Sequence, residues 1–161
     1  MKQVAGTTDR LFGHEFPRPL AATREIPRTA VKKTPLHVLV VDDEPLIRWS
    51  VTETLAGLGL DVEQADCAAS ALRAITTTAL PFDMIVLDLR LPDMNDLSLL
   101  ATIRQLLPET PVVLMTAYGT PEILTAARRL GVRGVLHKPF ELSELSRLVT
   151  ADPLRHTESV P

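Results

Sequence analysis

With a single cysteine, Cys67, the chain cannot close an intramolecular disulfide, and a reducing cytoplasm suits its composition. No apolar run approaches the roughly 18 to 20 residues that a membrane-spanning helix needs. The N-terminus carries several Arg and no apolar h-region, which excludes an ordinary secretory signal. Glycine is scarce, at seven residues, and the Gly57-Leu58-Gly59 pair lacks the rest of a dinucleotide fingerprint, so helix termination is its reading. Aromatics make up only 4%, and with 45% hydrophobic and 23% charged residues the composition fits a soluble globular α/β protein. An excess of positive charge is also missing from most of the chain. Residues 1 to 36 carry 7 basic and 3 acidic side chains, a balance of +4, whereas residues 37 to 161 carry 10 basic and 17 acidic ones, a balance of −7. The acidic part lacks the footprint of a duplex-binding surface, so direct DNA binding is not expected, and its acidity is what a cation site tolerates.

At 161 residues the chain has room for one domain with a proper core, plus tails. Residues 1–35 place Pro17, Pro19, Pro27 and Pro35 among Thr, Arg and Ala without a sustained period, which predicts a disordered basic leader. From Leu36 onward short apolar runs alternate with helical stretches. The predicted strands are Val38 to Val41, Asp61 to Ala65, Met84 to Leu87, Val112 to Met115 and Gly134 to His137. The predicted helices are Pro45 to Leu58, Ala68 to Thr78, Leu97 to Leu107, Pro121 to Leu130 and Glu141 to Thr150. In the first helix Ile47, Val51, Leu55 and Leu58 form one apolar stripe; Pro45 and Pro121 suit first-turn positions, and Gly131 suits a helix exit. Five strand-helix repeats over residues 36–150 predict a doubly wound α/β fold: a five-stranded parallel sheet with helices on both faces. Residues 151–161 are expected to be a short flexible tail, too short for an output module.

Ligands of such sheets bind outside the carboxyl ends of the strands, where strand order reverses. Those ends carry Asp42, Asp43 and Glu44 after the first strand, Asp88 after the third, Thr116 after the fourth and Lys138 with Pro139 after the fifth. Hard cations such as Mg²⁺ take oxygen ligands, so Asp43 and Asp88 are candidate direct ligands, with Asp42 a candidate to act through water. A carboxylate is already ionised at neutral pH and needs no general base to attack phosphorus, which makes Asp88 the candidate phosphoacceptor. The obstacle is repulsion between a phosphoryl group and the carboxylates, which the metal and the Lys138 ammonium would offset. The Thr116 hydroxyl can donate to a phosphoryl oxygen. Taken singly, each residue has a plainer reading: Asp88 as a turn or cap, Asp42 and Asp43 as a helix cap, Thr116 as a turn hydroxyl, Lys138 as a surface charge. Their joint occurrence in this order, each at a strand end, favours function.

The segments VLVVDDEP at 38–45, MIVLDLRLPDM at 84–94, VVLMTAYGT at 112–120 and LHKPFELSEL at 136–145 resemble the receiver domain of bacterial two-component response regulators, nearest in motif to the nitrogen-regulation subgroup. The resemblance implies a flavodoxin-like fold and Mg²⁺-dependent phosphotransfer to Asp88 from a sensor histidine kinase or a phosphotransfer protein. It further implies metal binding by Asp42, Asp43, Asp88 and the backbone carbonyl of Arg90, switching by Thr116, phosphate pairing by Lys138 and a cis bond before Pro139. Output would pass to a downstream protein target, to a homodimer formed on phosphorylation, or through the leader.

Four positions depart from the family pattern or lie outside it. Val135 stands where receivers commonly carry a Tyr or Phe that rotates inward on activation, and Tyr118 is either a substitute, a shield over the phosphoryl group or a plain turn aromatic. Asp96 replaces a common Gly and suits the start of the third helix. Trp49 lies off the apolar stripe, so it either meets a partner or packs against the leader or a neighbouring helix. Two other functions stay open. A Mg²⁺-dependent aspartyl-phosphate phosphohydrolase would need a second Asp two residues after the nucleophile, where this chain has Arg90. A pseudo-receiver, acting as a phosphorylation-independent interaction module, is opposed by the complete acidic set and kept open by Val135.

Overall fold

The computed structural model describes residues 34–151. All but the last two residues of the leader expected over 1–35, and all but Ala151 of the tail expected over 151–161, lie outside the described residues. The elements run β1 (His37–Val41), α1 (Pro45–Gly57), β2 (Asp61–Ala65), α2 (Ala68–Thr77), β3 (Met84–Asp88), α3 (Ser98–Leu106), β4 (Val112–Thr116), α4 (Pro121–Arg129), β5 (Gly134–His137) and α5 (Leu142–Thr150). All strands are parallel, in the order β2-β1-β3-β4-β5. The chain starts mid-sheet, steps outward to β2, then returns past β1 to build the other side, so the order reverses between β1 and β3. That is the crevice where doubly wound sheets bind ligands.

Strand alternation distributes the core over the two faces. Leu39, Val41, Ile85, Leu87 and Leu114 face α2, α3 and α4, where Ala71, Leu100, Ile103 and Ala127 meet them. Val38, Val40, Val86, Val113 and Leu136 face α1 and α5, against Val51, Leu55, Leu145 and Val149. Because both faces are covered, the central strands β3 and β4 are buried throughout, which is why they read as continuous apolar runs. The edge strand β2 is buried only at Ala65.

The helix ends follow local chemistry. Pro45 opens α1, and Gly59 (φ +81°) and Gly131 (φ +73°) supply the left-handed turns that leave α1 and α4. One expectation fails here: Leu58 does not continue the α1 stripe. The helix stops at Gly57, and Leu58 sits in the turn with 45% of its surface exposed. Asp96 does serve the start of α3, accepting the Ser98 N–H at 2.8 Å.

Candidate functional site

Strand register brings the acidic residues together. Val41 pairs with Leu87 across β1 and β3, so the residues that follow, Asp42 and Asp88, emerge side by side. On the other side of β3, Asp88 pairs with Met115, and Thr116 pairs with His137, which puts Lys138 one residue past the end of β5. The Lys138 N–H continues the ladder by donating to the Thr116 carbonyl at 2.9 Å, and the Lys138-Pro139 bond is cis.

Lys138 Nζ donates to Asp42 Oδ2 at 2.8 Å and to Asp88 Oδ2 at 2.9 Å, and lies 3.3 Å from Glu44 Oε1. The remaining carboxylate oxygens are also held: Asp42 Oδ1 accepts the Glu44 N–H at 2.8 Å, and Asp88 Oδ1 accepts the Arg90 N–H at 3.2 Å. Asp42 is fully buried and Asp88 is 5% exposed, whereas Asp43 faces solvent. One oxygen from each of Asp42, Asp43 and Asp88 falls within 4.8 Å of the others. Thr116 is 1% exposed, and its Oγ1 accepts the Tyr118 N–H at 3.0 Å rather than bonding to Asp88. Thus the structure gathers Asp42, Asp43, Asp88 and Lys138 into one cluster and places Thr116 at the next strand end.

Burial pushes the Asp42 carboxyl up, against the lowering effect of the Lys138 and Glu44 N–H bonds. Burial works against the Lys138 charge too, but there the bonds to Asp42 and Asp88 outweigh it and hold the ammonium well above its usual range. Four carboxylates, those of Asp42, Asp43, Glu44 and Asp88, therefore gather around one ammonium, and at the most buried of them burial outweighs the bonds that favour its charge. An all-oxygen donor set with one solvent-facing member and surplus negative charge fits a Mg²⁺ ion.

Around this cluster, the Arg90 guanidinium lies over the Tyr118 ring at 4.2 Å, joining the loops after β3 and β4 at the rim. Val135 pairs with Leu114 and, half-buried, packs against the core cluster on the face shared with α4. Beside Lys138 a groove of about 340 Å³ is lined by Leu46, Ile47, Ser50, Val51, Pro139, Phe140 and Leu142. Leu46, at 81%, and Trp49, at 60%, are exposed on the same helix. Two contributors had no local signal. Arg48 Nη1 donates to the Asp42 carbonyl at 2.6 Å, and the Asp93 carboxylate reaches α2.

A lysine-bridged acidic pocket at the switch point of a flavodoxin-like sheet defines the class, a doubly wound α/β protein with a cation-compatible anionic site. The response regulator receiver domain family matches residues 38–150, and this chain belongs to that family. It is 39% identical over 122 residues to the response regulator protein PilR of Pseudomonas aeruginosa, covering 75% of this chain and 27% of that protein. It is 38% identical over 112 residues to the DNA-binding transcriptional regulator NtrC of Escherichia coli K12, covering 70% and 24%. The chain thus spans about a quarter of the length of these relatives. A response regulator receiver protein from Pseudomonas putida superposes with a TM-score of 0.69 at 28% identity, covering 73% of this chain and 98% of that one. Chemotaxis protein CheY4 of Vibrio cholerae superposes with a TM-score of 0.65 at 30% identity, covering 71% and 96%. The chain is a receiver domain of two-component response regulators. No helix among the described residues is long and apolar enough to cross a membrane.

Proposed function

We propose that this receiver accepts a phosphoryl group on Asp88 from the phosphohistidine of a sensor kinase or phosphotransfer protein, in the cytoplasm, and signals by conformational change to a downstream partner. The observation that carries the reading is Lys138, whose ammonium bridges the Asp42 and Asp88 carboxylates at 2.8 and 2.9 Å beside Asp43. No side chain other than the ionised carboxylate is needed as nucleophile. An Asp88 oxygen forms the O–P bond as the donor P–N bond breaks, and the imidazole leaves with the electron pair. Asp42, Asp43, Asp88 and the Arg90 carbonyl would hold Mg²⁺, which when bound neutralises charge on the phosphoryl oxygens. Lys138 is released from its carboxylate bridge to pair with the phosphoryl group, and Thr116 exchanges the Tyr118 amide for a phosphoryl oxygen. Val135 cannot make the aromatic swing, so the Arg90-Tyr118 rim, which touches both loops, is the readout the geometry favours. The exposed Leu46 and Trp49 and the groove beside Lys138 offer the donor protein an apolar landing next to the acceptor. Residues 1–35 and 151–161 flank the receiver, which turns over no substrate beyond its own phosphorylation and dephosphorylation and makes no direct contact with DNA.

Incubation with Mg²⁺ and acetyl phosphate or phosphoramidate, followed by intact mass measurement, tests this. Wild type should gain one phosphoryl group and Asp88→Asn none. Absence of an adduct with every donor would instead make the chain a pseudo-receiver, and rapid turnover of phosphoesters would make it a hydrolase.

A further inference from the structure

The loop after Asp88 is tied to a helix on the far side of β1. Residues 91 to 94 close on themselves, with the Leu91 N–H donating to the Met94 carbonyl at 2.9 Å and the Met94 N–H to the Leu91 carbonyl at 3.2 Å. Leu91 is buried in the core and Met94 packs against it, which leaves Pro92 and Asp93 at the tip. From there Asp93 Oδ1 accepts the Ala68 N–H at 2.8 Å and Oδ2 accepts the Ala69 N–H at 2.9 Å. These are the first two amides of α2, which have no partner within their own helix. The local capping box leaves both free: Cys67 Sγ accepts the Ser70 N–H at 3.4 Å and Ser70 Oγ accepts the Cys67 N–H at 3.2 Å, but neither reaches Ala68 or Ala69. Those two amides also hold the Asp93 carboxyl below the usual carboxylate range.

The chain of contacts is continuous. Asp88 Oδ1 accepts from the Arg90 N–H, Leu91 follows in the closed turn, and the turn is clamped by both oxygens of Asp93 to a helix whose Ala68 and Ala71 are buried against the sheet. We propose that Asp93 is a positioning residue of the phosphoacceptor site: it holds the 90–94 loop at a set distance from Asp88 and so presents the Arg90 peptide to the cation. This rests on the phosphoacceptor reading above. Orientation of a metal ligand by a hydrogen-bonded partner is worth about ten-fold or more in affinity, so the loop tether should be read in Mg²⁺ binding and not only in stability.

Three variants separate positioning from plain capping of α2: Asp93→Ala, Asp93→Asn, and the double variant Asp93→Ala with Cys67→Asp, which gives α2 a strong local cap. Titration of amide chemical shifts with MgCl₂ should show affinity weakened about ten-fold in Asp93→Ala, with a smaller loss in Asp93→Asn. The double variant should regain thermal stability but not Mg²⁺ affinity. Wild-type affinity in Asp93→Ala, or recovery of both properties in the double variant, would overturn the proposal. Hydrogen exchange of the Arg90 and Leu91 amides without metal reads the tether directly. It should quicken in Asp93→Ala and in the double variant, and unchanged exchange would refute the tether. Failure of wild type itself to bind Mg²⁺ would sink the phosphoacceptor reading, while the exchange data would still decide whether Asp93 positions the loop.

Discussion

Burial works against the charge of both Asp42 and Lys138, but only at Lys138 do hydrogen bonds outweigh it, and the contrast sets how the site depends on pH. The raised Lys138 pKa means that its stabilising contribution is fully present below the unfolded value near ~10.4 and is lost only as pH rises through the higher folded value. Lys138 is therefore a constant charge under physiological conditions. Asp42 is also raised, from 3.8, so folding favours its protonated form. What that protonation contributes is present below pH 3.8 and is lost as pH climbs through the folded pKa, leaving a buried charge that costs stability at neutral pH. Without Mg²⁺, Asp42→Asn should accordingly match wild type at acid pH and be the more stable of the two at pH 7. Urea denaturation of both proteins across that range measures the difference. A variant less stable than wild type at pH 7 would show that Lys138 fully compensates the charge. The exposed carboxyls of Asp66 and Asp96 are shifted downward by their hydrogen bonds, to Ser70 and Ser98 first, and contribute in the opposite sense, above the unfolded value. Subtracting wild type from the variant cancels them.

Helices α3 and α4 are joined less by apolar contact than by one guanidinium. Ala127 is the single fully buried residue of α4. Arg104 of α3 donates through Nε to the Leu130 carbonyl at 2.8 Å, through Nη2 to the Gly131 carbonyl at 2.7 Å and through Nη1 to the Thr110 carbonyl at 2.5 Å. It thereby satisfies the end of α4 and the entry to β4 together. Arg104→Ala should cost about 2 kcal/mol, and Arg104→Lys should recover little of it because an ammonium lacks the planar fork. Thermal or chemical denaturation decides this, and a loss under a few tenths of a kcal/mol would reduce the bonds to surface decoration. The helices themselves were legible in sequence, since Pro45, Pro121 and Gly131 punctuate them and apolar spacing sets their buried faces. Leu58 shows the limit: spacing extends the stripe by one residue, but the left-handed turn at Gly59 needs the chain to leave the helix first.

As a folded whole, the receiver should be more stable with Mg²⁺ than without it, because the cation shell exists only when β1 and β3 are paired. Binding to the native state alone contributes RT ln(1 + [L]/Kd), about 2.7 kcal/mol when Mg²⁺ stands at a hundred times its Kd. Melting curves over a MgCl₂ series should show a rising Tm in wild type and a flat response in Asp88→Asn and Asp43→Asn. An equal rise in all three would mean that the ion acts elsewhere or through ionic strength.

Local pattern was enough to name five strands, five helices and the residues standing at the strand ends, because strand burial and helix amphipathy are written at periods of two and 3.6 residues. Asp42, Asp43, Asp88, Thr116 and Lys138 were all legible in that way. Their meeting was not, since Lys138 and Asp42 lie 96 residues apart in the chain and become neighbours through pairings between distant strands. The same holds for Asp93, an unremarkable turn residue in sequence whose partners are amides 24 and 25 positions away. Periodicity tells which face a side chain is on; which other element shares that face follows from strand order and register, and these are settled by burying both faces of the sheet at once.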